Sequence, residues 1–303
     1  MPRLPLLLLV PLVGCTPAEL TPWPGLEPGA DPLLPGSDGG WDVAYYETTY
    51  RVRGDRSVTT EVMVPMSGDE VATGPFPAVL LVQGGAVTVD RYRWLAAHMA
   101  SRGFVVFSPH HLWNLALFQT GNGLDTLDAA RRLAKEGDTF LPLDPNLPGL
   151  AVGHSLGGVA ASSAWLDPDL VRNLVLFAST PNPNDDLSVR EGLSGRVMSV
   201  TGSADGLISP QTVVESAAVF PVDTRVAMVE GMNHFQFTDD PSSKDLEKEP
   251  VPTVDTREGR RLAQFLLDVA LAEVAGEDIT PWLDTNTWPT GLTPIITYHG
   301  DTP

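Results

Sequence analysis

Apolar residues along the chain fall into short runs that alternate with longer amphipathic stretches. Residues 77–82 read Pro-Ala-Val-Leu-Leu-Val, an uninterrupted apolar run that is typical of a strand buried on both faces of a parallel sheet. Comparable runs predict further strands at 104–107, 150–152, 174–178, 196–201 and 225–229. Amphipathic or small-residue stretches predict helices at 90–102, 124–135, 155–165, 210–218 and 256–274.

Two alternating stretches precede this series. Residues 48–52 and 58–64 alternate between apolar and polar positions, and the segment between them contains Gly54 and Asp55, which predicts a β-hairpin. Antiparallel strands followed by repeated strand–helix units predict an α/β fold with a mostly parallel central sheet and helices on both faces. We expect one domain over residues 41–275.

The segments that flank this domain have a different composition. Prolines recur without a period over residues 15–40, and glycines lie between them, which favours an extended tether over a helix or a paired strand. The alternative is an arm that docks on the domain through Trp23 or through Leu33 and Leu34. Residues 276–303 contain several threonines and prolines and are predicted to form a C-terminal tail.

The net charge of the chain excludes some classes of binding partner. The formal net charge is −19 and the sequence pI is about 4.5. Nucleic-acid binding requires clustered Lys and Arg side chains against phosphates, so the sequence excludes nucleic acid as an expected partner. The same acidity argues against peripheral binding to anionic lipid.

The N-terminal residues predict export. Residues 4–13 are almost entirely apolar and follow Arg3, and this run is too short to span a bilayer, which favours a signal peptide over residues 1–14. Cys15 is the only cysteine, so no intramolecular disulfide forms. The stretch Leu-Val-Gly-Cys resembles the lipobox of bacterial lipoproteins, which implies lipidation of Cys15 and a lipid anchor in the cell envelope, periplasmic or at the cell surface. The alternative is an ordinary secretion signal.

A single serine lies between glycines where an apolar run gives way to small residues. Residues 153–157 read Gly-His-Ser-Leu-Gly, between the strand predicted at 150–152 and the next helix. A serine on such a turn adopts strained dihedral angles, and the flanking glycines relieve crowding. The N–H of Leu156 then begins the helix and faces any oxyanion that develops beside Ser155.

A serine hydroxyl needs a base, and the base needs a carboxylate that orients it. Asp205 follows one predicted strand and His234 follows the last one. Because the carboxyl ends of parallel strands share one edge of the sheet, we expect Ser155, Asp205 and His234 to meet there. Asp185 and Asp186, which follow the preceding strand, are the alternative acids.

These stretches resemble the α/β-hydrolase superfamily. The sequences GHSLGG, TGSADGLISP and GMNHFQF are similar to its nucleophile elbow, acid loop and histidine loop. The resemblance implies that Ser155 is the nucleophile, that His234 is the general base and then the acid, and that Asp205 orients His234.

One branch of the superfamily is closer than the others. The stretch WLAAHMASRGFVVFSP after Gln83-Gly84-Gly85 resembles the branch of dienelactone hydrolases and cutinase-like esterases. The family's second oxyanion donor then corresponds to the backbone N–H of Gly85 or Ala86, with Gly85 favoured. Family members often carry His where this chain has Gln83.

The chemistry that this set of residues predicts is the hydrolysis of carboxylic esters, small or polymeric. No metal and no cofactor is expected, and the acidic stretch at 239–249 matches no calcium loop. The segment 179–195 is too short for a large lid domain. His110, His111 and Trp113 follow a strand at the same edge and are candidate substrate contacts. The alternative function is a non-catalytic binding lipoprotein at the cell surface that keeps the hydrolase fold.

Overall fold

The computed structural model describes residues 19–24, 38–116, 120–137, 141–247 and 249–298. The strands in this part of the chain are Thr21–Pro22 (β1), Asp42–Arg51 (β2), Ser57–Ser67 (β3), Glu70–Val71 (β4), Ala78–Val82 (β5), Val105–Pro109 (β6), Gly149–His154 (β7), Val171–Phe177 (β8), Arg196–Gly202 (β9), Asp223–Val229 (β10) and Leu292–Tyr298 (β11). The helices are Arg93–Ser101 (α1), Gly121–Lys135 (α2), Leu156–Trp165 (α3), Pro210–Ala217 (α4), Ser243–Leu246 (α5), Thr256–Val274 (α6) and Thr280–Leu283 (α7).

These strands form one sheet in the order β1-β2-β3-β6-β5-β7-β8-β9-β10-β11, with β4 paired to β3. The six strands from β6 to β10 in this order run parallel to one another. Antiparallel strands lie at both ends, with β2, β3 and β6 at one end and β10 and β11 at the other. The predicted hairpin and the mostly parallel sheet are therefore confirmed.

Helices cover both faces of the sheet. All five residues of β5 are buried. Val79 and Leu81 belong to the core that α1 and α6 complete, whereas Ala78, Leu80 and Val82 belong to the core that α2 and α3 complete. Because both faces of the strand meet apolar helices, the sequence needs apolar residues at every position, and the continuous apolar runs have this cause.

The longest described helix, α6, is amphipathic. Leu262, Leu266 and Val269 are buried in the core, whereas Arg261 pairs with Glu258 on the exposed side. Across the part of the chain that the structure describes, no helix has both the length and the apolar composition that crossing a membrane requires.

Part of the predicted tether lies on the domain. Thr21 and Pro22 pair with β2, and the Trp23 ring lies 6.5 Å from the Tyr45 ring. Pro22 is tolerated because β1 is an edge strand. Residues 19–24 therefore form a docked arm, which is the alternative to a free tether. The predicted signal peptide, Cys15 and residues 25–37 lie outside the described residues.

The prediction of a C-terminal tail after residue 275 is wrong for the segment up to residue 298. Strand β11 pairs antiparallel with β10 along its whole length, with a register shift at Val226/Ala227, and Leu292 is only 5% exposed. Pro294 interrupts the strand pattern in the sequence, but an edge strand accepts a proline because one side of it needs no ladder hydrogen bonds. The segment thus completes the sheet and the core beneath it.

Candidate active site

The turn at Ser155 has the strained backbone that its sequence predicts. Ser155 has φ +54° and ψ −130°, between the end of β7 and the start of α3. Its N–H donates to the Phe177 carbonyl at 3.0 Å, and its carbonyl accepts from the Ser179 hydroxyl at 2.6 Å. A non-glycine residue at positive φ persists only where its surroundings hold it. The turn therefore presents the Ser155 side chain at the carboxyl edge of a central strand.

The glycines around this turn permit close packing of α3 on the sheet. A Cβ atom on Gly153 would lie 2.4 Å from the Gly157 carbonyl oxygen, and one on Gly157 would lie 2.3 Å from the Gln83 carbonyl oxygen. A Cβ on Gly158 would lie 2.3 Å from the Ser179 hydroxyl. Separations this short are forbidden to real side chains, so the backbone of α3 reaches the end of β5 only with glycine here.

Asp205 and His234 meet at the same edge of the sheet. Asp205 Oδ2 lies 2.9 Å from His234 Nδ1, and both side chains are buried. Asp205 Oδ1 accepts the backbone N–H groups of Leu207 at 3.0 Å and Ile208 at 2.7 Å. These donors hold the carboxylate so that its other oxygen faces the imidazole.

The turn that carries His234 is fixed by its own hydrogen bonds. His234 begins a 3-10 turn that ends at Phe237, and Asn233 and Gln236 form a reciprocal cap at its start. Arg260 donates to the carbonyl oxygens of Gln236 and Thr238, both at 2.8 Å. The imidazole is therefore mounted on an anchored backbone.

His154 connects the serine turn to the histidine turn. Its ring centroid lies 4.6 Å from that of His234, and its Nδ1 lies 2.8 Å from the Tyr92 hydroxyl. Burial and then the nearby His234 lower the pKa of His154, and burial raises the pKa of Tyr92. Tyr92 is thus protonated, donates to a neutral His154, and accepts the N–H of Gly84 at 3.0 Å.

The backbone beside Ser155 contains the predicted oxyanion donors. Ala86 donates its N–H to the Asn114 carbonyl at 2.8 Å, and the N–H of Gly84 is held by Tyr92. Hydrogen bonds among the described residues leave the N–H of Gly85 without an acceptor. A Cβ on Gly85 would lie 2.5 Å from Leu156 Cδ1, so Gly85 and Leu156 are direct neighbours. This geometry favours Gly85 over Ala86 as the partner of the Leu156 N–H.

A comparison with protein families agrees with this arrangement. A family model described as the alpha/beta hydrolase family matches residues 78–248, from β5 to beyond His234. The chain belongs to this family. No curated protein matches the chain. The predicted fold class is thereby confirmed, and hydrolase function is supported at the level of the family.

In this hydrolase the alternative acids are engaged elsewhere. Asp185 accepts from the Ser163 hydroxyl at 2.6 Å and from the Asn182 amide at 3.2 Å. Asp186 caps a short 3-10 turn and accepts from the Ser188 hydroxyl at 2.6 Å. The geometry therefore pairs His234 with Asp205.

The three candidate substrate contacts differ in exposure. Trp113 is 76% exposed and has φ +54°, so it stands out from the surface. His111 is buried with Nδ1 3.2 Å from Gln83 Oε1, and burial lowers its pKa to about 4. His110 lies with Nε2 3.5 Å from a Glu47 carboxylate oxygen. A neutral His111 therefore packs beside the Gln83 side chain, whereas the exposed Trp113 side chain is accessible to a ligand.

The hydrolase site contains residues that sequence patterns did not single out. Tyr92 lies inside a predicted helix, Ser179 follows a strand, and Glu249 ends the acidic stretch at 239–249 that matches no calcium loop. Each acts through a partner distant in the chain, so no local pattern marks it. Among the described residues, no group of three or more His, Cys, Asp or Glu side chains is arranged to hold a metal ion.

Proposed function

We propose that this α/β hydrolase is a serine esterase that cleaves carboxylic esters through an acyl-enzyme. The observation that carries the proposal is the buried hydrogen bond between Asp205 and His234, 2.9 Å long, beside the strained turn of Ser155. The proposal adds the Ser155 hydroxyl to this pair, because a hydroxyl, an imidazole and a carboxylate together form the set that activates serine as a nucleophile.

In acylation His234 acts first as a base and then as an acid. Ser155 Oγ attacks the ester carbonyl carbon while His234 Nε2 takes the hydroxyl proton. The carbonyl oxygen becomes an oxyanion that accepts the N–H groups of Leu156 and Gly85, and the imidazolium remains paired with Asp205. The carbon–oxygen bond to the alcohol then breaks, and His234 returns its proton to the departing alkoxide.

Deacylation repeats these steps with water. His234 takes a proton from water, the hydroxide attacks the acyl carbon, and the same N–H pair holds the second oxyanion. The bond to Ser155 Oγ breaks, and His234 returns the proton to the serine. The products are the acid and the alcohol, and neither a metal nor a cofactor is consumed.

The substrate is an ester that reaches an open site. Residues 179–195 connect β8 to β9 with a single described 3-10 turn, Leu187–Arg190, which leaves little cover over the serine. Polyester-cleaving relatives tend to carry an aromatic residue just after the strand that corresponds to β8. Here the Ser179 hydroxyl holds the Ser155 carbonyl instead. This departure argues against polyester cleavage, so short acyl esters are the first substrates to test. The proposal of the dienelactone hydrolase and cutinase-like branch rests on the stretch WLAAHMASRGFVVFSP alone.

We also propose that the protein is exported and anchored by lipid on Cys15. The support is the apolar run at residues 4–13 followed by Leu-Val-Gly-Cys. In this proposal the protein contacts the membrane only through the lipid on Cys15. In a bacterial host, Cys15→Ser is expected to release the protein from the membrane fraction, and unchanged fractionation would reject the anchor.

Hydrolysis of p-nitrophenyl acetate and butyrate tests the catalytic proposal. Ser155→Ala and His234→Ala are expected to abolish activity, and Asp205→Asn to reduce it by about 10⁴-fold, as the loss of an orienting carboxylate does. Asp185→Asn is the matched control and keeps activity near that of the wild type. If folded wild-type protein hydrolyses no ester, the non-catalytic binding lipoprotein becomes the better account.

A further inference from the structure

A second carboxylate joins the acid loop to the histidine turn. Glu249 Oε2 accepts the backbone N–H of Gly206 at 3.1 Å and the backbone N–H of His234 at 3.0 Å. Gly206 directly follows Asp205 in the chain. One oxygen atom therefore links the residue beside the acid to the residue that the acid orients.

The other oxygen of this side chain lies inside the protein. Glu249 Oε1 is buried and makes no hydrogen bond with the described residues. The carboxylate is therefore held through Oε2, by one N–H group of the acid loop and one of the histidine turn.

The chain around Glu249 is docked firmly on the histidine turn. The Asn233 amide donates to the Pro250 carbonyl at 3.1 Å, and the Gln236 amide donates to the Val254 carbonyl at 3.0 Å. The N–H of Thr253 donates to the Gly231 carbonyl at 2.9 Å. Residues 249–254 thus form a strap across the turn, and the strap delivers the carboxylate to a defined place.

We propose that Glu249 is a positioning residue for the esterase reaction, holding Asp205 and His234 in register and stabilising the His234 imidazolium with its negative charge. This inference rests on the proposed function. The distance between acid and base depends on two separate loops, and a 1 Å displacement of such groups is enough to cost about 10²-fold in rate. In this role Glu249 acts through Asp205 and His234 and does not itself contact the substrate.

Charged and titratable groups surround His234. Asp205 bonds its Nδ1, the neutral His154 ring packs against it, and Glu249 accepts its backbone N–H. Arg260 donates to carbonyl groups of the same turn. The Glu249 carboxylate adds a negative charge beside the position where the imidazolium forms during acylation, so its removal is expected to slow that step.

Two variants separate the geometry from the charge. Glu249→Ala removes acceptor and charge, and we expect kcat to fall by about 10²-fold with little change in KM. Glu249→Gln keeps an oxygen that accepts both N–H groups, and we expect at least tenfold recovery of kcat over the alanine variant.

Glu247→Ala is the matched control, because Glu247 is exposed on the same segment and carries the same charge. We expect it to leave kcat and KM unchanged. Wild-type kcat in Glu249→Ala would overturn the inference, as would a glutamine variant that recovers no activity over the alanine variant.

Hydrogen exchange of the backbone amides, followed by NMR, keeps this test separate from the esterase proposal, because it needs no substrate. We expect the Gly206 and His234 amides to exchange about tenfold faster in Glu249→Ala than in Glu247→Ala, because only the first variant removes their acceptor. If no ester is hydrolysed but this difference appears, the esterase proposal fails and the link from Glu249 to His234 stands; equal exchange rates would reject the link itself.

Discussion

The rings of His154 and His234 pack against each other with centroids 4.6 Å apart and planes inclined by 44°. His154 lies next to Ser155 in the chain, and His234 is bonded to Asp205, so this contact joins two segments about 80 residues apart. The neutral state of His154, which burial produces, matters because a second positive charge here would oppose formation of the His234 imidazolium. The partner that fixes the proton position on His154 is Tyr92.

Tyr92→Phe tests that partnership. It leaves His154 Nδ1 without a donor and the Gly84 N–H without its acceptor, so we expect the free energy of unfolding to fall by about 1–3 kcal/mol. We also expect slower esterase turnover, because the Gly85 backbone follows Gly84 directly. Chemical denaturation and initial-rate kinetics measure the two effects. Tyr45→Phe is the control, since the Tyr45 hydroxyl makes no hydrogen bond within the described residues; equal effects of the two substitutions would contradict the role of Tyr92.

The backbone strain at Ser155 predicts that glycine at this position gives a more stable fold than alanine. Ser155→Ala and Ser155→Gly both remove the nucleophile, but only glycine adopts φ +54° and ψ −130° without strain. Strain at such positions costs about 1–3 kcal/mol, so the glycine variant is expected to exceed the alanine variant in unfolding free energy by about 1 kcal/mol. Urea denaturation of the two inactive proteins measures this difference. An alanine variant that is as stable as the glycine variant would show that the turn is relaxed.

His98 predicts a loss of stability at alkaline pH. Its Nδ1 lies 2.9 Å from Asp38 and its Nε2 lies 2.7 Å from Asp268. Burial lowers its pKa and Arg102 opposes the charge, but the charge of Asp268 and the hydrogen bonds to both carboxylates prevail and raise the pKa above its ordinary value of 6.5.

The stabilising contribution of His98 is therefore complete below about pH 6.5 and is lost as the pH rises through the raised pKa of the folded state. We expect the wild type to be less stable at pH 9 than at pH 6, and His98→Gln to reduce this difference. Unfolding free energies at the two pH values measure it. An undiminished difference in His98→Gln would assign the pH dependence to other groups.

Strand β11 predicts that the segment after residue 275 stabilises the fold. Leu292→Ala removes a buried side chain and is expected to cost about 2–5 kcal/mol. Thr293→Ala alters its exposed neighbour on the same strand and is expected to change stability by no more than about 0.5 kcal/mol. Thermal and urea unfolding compare the two. Equal stabilities of these variants would mean that β11 does not cover the core.

The amphipathic and apolar patterns predict the central fold because each strand and helix there buries what its own sequence provides. Val79, Leu80 and Leu81 face opposite sides of the sheet in turn, and all three are apolar because helices cover both sides. The glycines on either side of Ser155 mark the turn in the sequence, although the contacts that require some of them lie elsewhere in the chain. The order of strands then brings Asp205 and His234 to one edge. These parts of the fold and the candidate site follow from short-range physics.

The remaining parts depend on contacts between distant residues. Glu249 looks like a solvated acid until the fold brings its carboxylate to the N–H groups of Gly206 and His234. Tyr92 looks like an ordinary core aromatic until its hydroxyl meets His154. Pro294 disguises β11, because the loss of one hydrogen-bond donor is harmless only on an edge strand. A single sequence carries no local signal for any of these.

The central claim is that Ser155 is a nucleophile activated by His234, and covalent labelling tests it most directly. The protein is incubated with a fluorophosphonate probe at neutral pH, and intact-mass and peptide mass spectrometry count and locate the adduct. One adduct per chain on Ser155 is expected in the wild type, with labelling slowed by orders of magnitude in His234→Ala. A folded wild-type protein that remains unlabelled, or an adduct on another residue, would contradict the account.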